Sequence, residues 1–190
     1  MGLKFDEVPV SLYSESMLDQ LKPYFSNAKV PVLLHEGLEV WDSLAILEYL
    51  TGLSPQHGLP DDPKARAVAR SLCAEMHSSF SALRNELPMN CRRQPSPILL
   101  SDACTADIDR IQALWRHANE FCDGSDGWLF GNFSIVDAMF APVAIRFHRY
   151  CVPLQDSAAT YVQRLLQHPA MVEWIAAGSA ELAVIEQEER

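Results

Sequence analysis

Val30-Pro31-Val32-Leu33 and, a few residues on, Val40-Trp41-Asp42-Ser43-Leu44-Ala45-Ile46 decide how this chain folds. Proline has no N–H to give to a sheet ladder, so Pro31 belongs at a strand's first residue or on an edge. X-Pro is also the one bond type in which a cis peptide is cheap enough to serve as a fixed structural device. Glu36-Gly37 reads as a hairpin turn between two short strands, Val32 to His35 and Leu38 to Trp41. Asp42 or Ser43 can then cap a helix that carries Leu44, Leu47 and Leu50 on one face, with Gly52 near its end. A carboxylate, a hydroxyl and unbonded backbone N–H groups at a helix N-terminus make a polar ligand site.

Upstream of this stretch, Phe5 to Val10 reads as a short strand in which Pro9 suggests an edge or a bulge. Ser14 to Phe25 has weak helical spacing (Met17, Leu18, Leu21, Phe25) and is broken by Pro23. Downstream, Ser54-Pro55-Gln56-His57-Gly58-Leu59-Pro60 is dense in turn residues. Everything beyond it is helical. Asp62-Pro63 is an N-cap followed by proline at the first helical position. Val68, Leu72, Met76, Phe80, Leu83 and Leu87 then keep a period near that of an α-helix and predict one long helix ending at Pro88. Met89 to Leu100 reads as a loop, with Arg92-Arg93 solvated. Ser101-Asp102 opens a helix with Ile108, Ile111, Trp115, Ala118 and Phe121/Cys122 on one stripe, stopping at Asp123-Gly124. Ser134 with Asp137 forms an S-x-x-D capping box before a helix that is apolar nearly all round from Ile135 to Ile145, so that helix is the expected buried centre. Pro142 inside it predicts a kink. Two more helices follow, over 158–167 and from Pro169, and the charged segment Glu186 to Arg190 is expected to fray. The division is residues 1–53, mixed α/β; 54–62, a linker; and 63–190, all helical.

At 190 residues the chain can bury a substantial core, and its 48% apolar and 21% charged content is that of a globular protein. A net charge of −10 argues against nucleic acid or an anionic membrane as partner. It leaves room for a small anion, which a helix N-terminus still holds. No basic region with an apolar signal segment precedes Phe5 and no apolar run approaches a membrane span, so the expected location is cytoplasmic. The five cysteines are odd in number, widely spaced and without Cys-x-x-Cys, the pattern of reduced thiols rather than of disulfides or a zinc site; no metal is expected.

The pairing of Val30-Pro31 with Asp42-Ser43, followed about a hundred residues later by Phe133-Ser134-Ile135-Val136-Asp137 after Gly131, resembles the glutathione S-transferase family. Val-Trp-Asp-Ser-Leu-Ala-Ile, Ala74-Glu75-Met76-His77-Ser78 and Arg146-Phe147-His148-Arg149-Tyr150 are similar to a bacterial group of unassigned substrate. That group is close to the zeta class, which includes maleylacetoacetate isomerases. The resemblance implies an α+β, mostly α protein: a thioredoxin-like α/β domain followed by an all-helical glutathione transferase C-terminal domain. The thioredoxin-like part is incomplete. The family opens with a strand and a helix bearing a catalytic Ser, Tyr or Cys, whereas Met1 to Val10 resembles its second strand. About 25–30 residues, a strand and a helix with their turns, are wanting.

The resemblance also implies roles. Val30 pairs its backbone with glutathione and Pro31 is cis. Asp42 and Ser43 hold the γ-glutamyl end, and Lys29 reaches the glycyl carboxylate. Met76, His77, Phe80 and Arg84 are candidates for the substrate side, while Ser134 and Asp137 are structural. Free thiols titrate near ~8.5, so a hydroxyl donor or helix N-terminus must lower that value to supply a glutathione thiolate. Ser11, Tyr13, Ser14 and Ser16 lie after the expected second strand and match no such donor, so no catalytic residue is assigned. The functional expectation is glutathione conjugation, or glutathione-assisted isomerisation, of a small electrophile by a homodimer. The alternative is a catalytically inactive glutathione transferase-fold interaction module.

Each motif also has a plainer reading. Pro31 suits any strand start, Asp42-Ser43 any helix cap, and Met76 and Phe80 any core. Arg146, His148 and Arg149 suit a helix C-terminus without a ligand, His77 a packed or solvated position, and Cys73 a buried, inert thiol.

Overall fold

Two residues with left-handed backbone, Glu36 (φ 49°) and Gly37 (φ 82°), make the turn that folds the first sheet. Positive φ at both central residues is the type I′ geometry whose twist matches that of antiparallel strands. β1 (Val32–His35) and β2 (Leu38–Trp41) therefore pair with Val32 opposite Trp41, Leu33 opposite Val40, Leu34 opposite Glu39 and His35 opposite Leu38. The computed structural model describes residues 1–54, 58–122 and 127–189. Among them the sheet has two strands, and contacts divide the chain into two units, Met1–Gly58 and Leu59–Arg190.

In the first unit a single helical turn and a half, α1 (Met17–Leu21), precedes the hairpin, and α2 (Ser43–Leu53) follows it. The weak spacing over Ser14 to Phe25 thus yields a helix that ends two residues before Pro23. His35 Nδ1 stands 2.7 Å from the Tyr49 hydroxyl and the two rings meet edge to face, which joins β1 to α2. The strand expected over Phe5 to Val10 does not form. A lone extended segment gains nothing without a ladder partner, and Pro9 removes one of its donors. Phe5 and Val8 are left exposed. Only Leu21 and Ser26 are buried among the described residues of this unit.

In the second unit every regular element among the described residues is a helix. α3 (Pro63–Ser78) begins where Asp62 accepts from Ala65 N at 2.7 Å. The one long helix expected here breaks: Phe80 adopts left-handed backbone (φ 65°), and α4 (Ser81–Glu86) starts after it. Side chains satisfy the groups that the break orphans. The Arg84 guanidinium donates to Met76 O (2.6 Å) and Ser79 O (3.2 Å), closing the end of α3. From α5 (Asp102–Ala118), Asp107 accepts from Leu83 N at 3.0 Å, capping α4. Phe80, Leu83 and Leu87 stay buried across the break, which is why their spacing still looked continuous.

Ser101 caps α5 through Cys104 N and bonds to the Glu86 carboxylate. The stripe on α5 buries Ile108, Ile111, Trp115 and Ala118, and a short 3-10 turn over Asn119–Phe121 replaces the helix expected to reach Cys122. The stop assigned to Asp123-Gly124 lies outside the described residues, as does much of the expected linker at Pro55, Gln56 and His57.

The centre is α6 (Ile135–Arg149), which buries Ile135, Val136, Phe140, Val143, Ala144, Ile145 and Phe147 and continues through Pro142. α7 (Asp156–Gln167) packs beside it, and α8 (Pro169–Ala180) packs on α7, with Met171 clustered against Ile145 of α6. Trp115 is the hub, meeting Phe140, Phe147 and Tyr161 edge to face with centroids 4.8–5.7 Å away. Such ring pairs add about 0.5–1.5 kcal/mol each beyond burial.

The capping box that the sequence announced is completed by two groups it did not. Asp137 is fully buried. Its Oδ2 accepts from Ser134 N (2.9 Å) and Ser134 Oγ (3.1 Å), and its Oδ1 from Leu129 N (3.3 Å) and the Tyr161 hydroxyl (3.0 Å). Burial pushes the carboxyl's pKa up, while these donors pull it down. The Tyr161 hydroxyl, buried against it, is raised well above the usual phenol value. All five cysteines are free thiols.

Candidate functional site

In the first unit three backbone features converge on the stretch from Phe25 to Ser43. The Val30–Pro31 peptide bond is cis. Pro31 stands immediately before β1, where its missing N–H costs no ladder bond. The approach to it is a compact turn: Lys29 N donates to Ser26 O at 3.1 Å, and Asn27 and Ala28 both have positive φ. Glu39 on β2 accepts from Phe25 N at 2.9 Å, and Phe25 packs edge to face on Trp41 at 5.1 Å. The hairpin therefore grips the loop that presents Lys29 and Val30, and both residues are exposed.

Asp42 supplies the third feature. Of the two capping residues the sequence offered, it is the one that caps. Its Oδ1 accepts from Leu44 N (2.9 Å) and Ala45 N (3.3 Å), while its own carbonyl receives Ile46 N. Its backbone lies at φ 80°, ψ 125°, a conformation that side-chain-bearing residues rarely adopt and that costs about 1–3 kcal/mol. Strain of this kind persists where surrounding structure over-determines it, at ligand clamps above all. Ser43 is the first helical residue, half-buried, with its hydroxyl at the mouth of α2. Its N–H is among the donors that a helix start leaves without an intrahelical acceptor and turns toward anions, while Leu44 N and Ala45 N beside it already meet the Asp42 carboxylate.

The second unit holds the residues named for a substrate side. Met76 and Phe80 are buried at 3% and 4% exposure, so their side chains pack inside the unit. His77 and Arg84 are exposed. Arg84 is occupied with the α3 carbonyls described above, which gives it a splinting role that spacing could not reveal. Ser134 and Asp137 form the buried cap of α6. Glu39 and Phe25 escaped the sequence reading altogether. Their bond joins positions 14 apart through a side chain and a backbone N–H, which leaves no periodic trace. Among the described residues no group of three or more His, Cys, Asp or Glu side chains is placed to hold a metal ion, and no helix is long and apolar enough to cross a membrane.

Comparison with known proteins follows the same outline. Residues 1–52 match the family model for the glutathione S-transferase N-terminal domain, and residues 34–177 that for its C-terminal domain. The maleylacetoacetate isomerase of Mus musculus is 30% identical over 159 residues, spanning 80% of this chain and 71% of that protein. The maleylacetoacetate isomerase of Rattus norvegicus is 25% identical over the same length, with the same coverage. Among solved structures, a glutathione transferase homolog from Burkholderia GL BGR1 with bound glutathione superposes with a TM-score of 0.66 at 26% identity, covering 95% of this chain and 86% of its own. A Tau class glutathione S-transferase from mango, Mangifera indica, superposes at 0.65 with 18% identity, over 91% of this chain and 81% of that one, a likeness of fold. With three quarters of its length inside one family model and its α/β and helical parts in the family's order, this chain belongs to the glutathione S-transferase family.

Proposed function

We propose that this protein binds glutathione on the first unit and uses it as nucleophile, or as nucleophilic helper in an isomerisation, on a small electrophile. The observation that carries the reading is the strained Asp42 cap at the mouth of α2, reached through the same hairpin whose Glu39 holds the loop that presents Lys29 and Val30. In this reading Val30 offers its backbone N–H and C=O to the cysteinyl part, as a short ladder without a strand. Asp42 and Ser43 receive the γ-glutamyl amine and carboxylate, the carboxylate also facing the positive end of α2. Lys29 meets the glycyl carboxylate. On the second unit, His77 and Arg84 are the exposed residues offered to the electrophile, with Met76 and Phe80 shaping the surface from beneath. The same reading takes the protein to be a cytoplasmic homodimer.

The relative with bound glutathione and the two isomerases support this assignment of chemistry. One observation favours a second reading, a non-catalytic module of the same fold. Two of the hydroxyls weighed as thiol donors are engaged locally, Ser14 Oγ donating to Ser11 O at 2.8 Å and Ser16 Oγ accepting from Gln20 Nε2 at 2.8 Å. None of them is thereby identified as a donor to a thiol.

Calorimetric titration with reduced glutathione tests the binding reading. The expected result is a micromolar to millimolar Kd, weakened by Ser43→Ala about three- to tenfold, the worth of one hydrogen bond. Absence of binding by the intact chain removes the site. Binding without any acceleration of thiol substitution on an activated aryl halide, read by release of halide, leaves the second reading in place.

A further inference from the structure

Of the segment expected to fray, Arg190 lies outside the described residues and Glu189 is instead tied down, by the loop expected to be solvated. Asn90 is buried, and its Oδ1 accepts from the backbone N–H groups of Arg92 (2.8 Å) and Arg93 (3.1 Å). That fixes the amide's orientation, so its NH2 group points away from the loop and donates to Glu189 Oε2 at 2.9 Å. The other oxygen of the same carboxylate, Oε1, takes the Arg92 Nη2 donor at 2.7 Å. Arg92 Nη1 then reaches two carbonyls of the same segment, Glu181 O (2.8 Å) and Ala183 O (3.2 Å). One planar carboxylate thus has a separate donor for each oxygen, and its pKa is held below the usual range by Arg92 and Asn90.

A second cation lies in the same neighbourhood. Arg146, on α6, donates Nε to Leu87 O (2.8 Å) and Nη1 to Pro142 O (3.2 Å), both neutral carbonyls. Burial, and then the like charge of Arg84, pull its pKa down to about 10, which leaves it charged at neutral pH; Glu188 opposes this shift as the acid beside it. Apolar packing does little to hold the segment that carries Glu189. Leu182 is 95% exposed and Val184 56%, and Ile185 is half-buried, so the strap buries little apolar surface.

We propose that residues 181–189 form a strap docked by charge, with Glu189 occupying a carboxylate site built from Asn90 and Arg92, and that a small carboxylate anion competes for this site. The class follows from the chemistry of the present occupant. The Glu189 carboxylate fills the site, and a flat two-oxygen group matches the Asn90 and Arg92 donors in a way that a spherical halide cannot. The strap lies wholly within the second unit and is independent of the glutathione reading.

The test is hydrogen exchange of the 181–189 segment in the full chain, read by mass spectrometry, with α6 as internal reference. Glu189→Gln should raise exchange across the strap about tenfold or more, the size of a charged hydrogen bond, with α6 unchanged. Disodium succinate should raise it in the wild-type chain at an ionic strength where sodium chloride does not, and Arg92→Gln should abolish that difference. Equal exchange in the wild-type chain and Glu189→Gln overturns the strap. Superimposable succinate and chloride curves overturn the carboxylate site. Glutathione takes no part in the experiment, so either failure leaves the assignment of the first unit untouched.

Discussion

Asp137→Ala is expected to cost the second unit about 3–5 kcal/mol, the largest effect of any single substitution considered. The reason is the number of donors stranded rather than the loss of one bond. Ser134 N, Leu129 N and the Tyr161 hydroxyl all end on this carboxylate in a fully buried place that offers no substitute acceptor. Each orphaned donor costs about 1–3 kcal/mol, and alanine strands them together. Asparagine is no rescue, because each carboxylate oxygen takes two donors and an amide can face only one pair with oxygen. Ser134→Ala removes only the outer half of the box and should cost about 1 kcal/mol. For a chain of this length the expected fall in Tm for Asp137→Ala is about 6–20 °C by circular dichroism, at roughly 2–4 °C per kcal/mol. A fall under about 3 °C would show that the box and the tyrosine add little to stability.

Asp42 carries the second large effect, and two substitutions separate its two parts. Asp42→Ala removes the acceptor for Leu44 N and Ala45 N, about 1–2 kcal/mol of capping, and leaves a β-carbon at positive φ with no compensating bond. Through the proposed role of the carboxylate it should also weaken glutathione binding by about 1.5–3 kcal/mol, or roughly 10- to 150-fold. Asp42→Asn keeps an acceptor for the helix and tolerates the backbone, so it should retain the cap while losing the charge. Matched calorimetric titrations read the outcome. If Asn binds glutathione like the wild type and Ala does not, the residue positions α2 and its charge is idle. If both lose affinity alike, the carboxylate meets the ligand. Undiminished affinity in Ala removes Asp42 from the site.

The legibility of these features in the sequence follows the reach of the interactions behind them. β1, β2 and α2 could be placed because everything that sets their ends is local: Pro31 before the first strand, Gly37 in the turn, Asp42 at the cap. The same holds for Asp62-Pro63 and for the Ser134–Asp137 box. The break between α3 and α4 was invisible because Phe80 keeps its apolar place in the helical period while its backbone turns left-handed. The groups that make that break tolerable, Arg84 and Asp107, are ordinary surface residues until α5 packs alongside. The strap is the extreme case: Arg92 and Glu189 are separated by 97 positions, and no pattern in either segment names the other. In the candidate site the motif residues could be named in advance. The grip of Glu39 on Phe25 N could not, since a backbone donor belongs to every residue type.

The placement of the cysteines has a consequence for a protein proposed to work among electrophiles. Any compound reactive enough to trap a thiol on demand also threatens the thiols of its catalyst, and thiolates react first. Cys73, Cys91 and Cys104 are buried; burial raises the pKa of Cys91 and drives that of Cys104 up to about 11, which keeps both protonated and out of reach. Cys122 is half-covered, so Cys151 stands alone in the open. The chain therefore shields itself from self-alkylation at every cysteine whose modification would split its core. It also leaves one outward handle, just past the end of α6, where a dye or a support can be attached without touching either unit's interior.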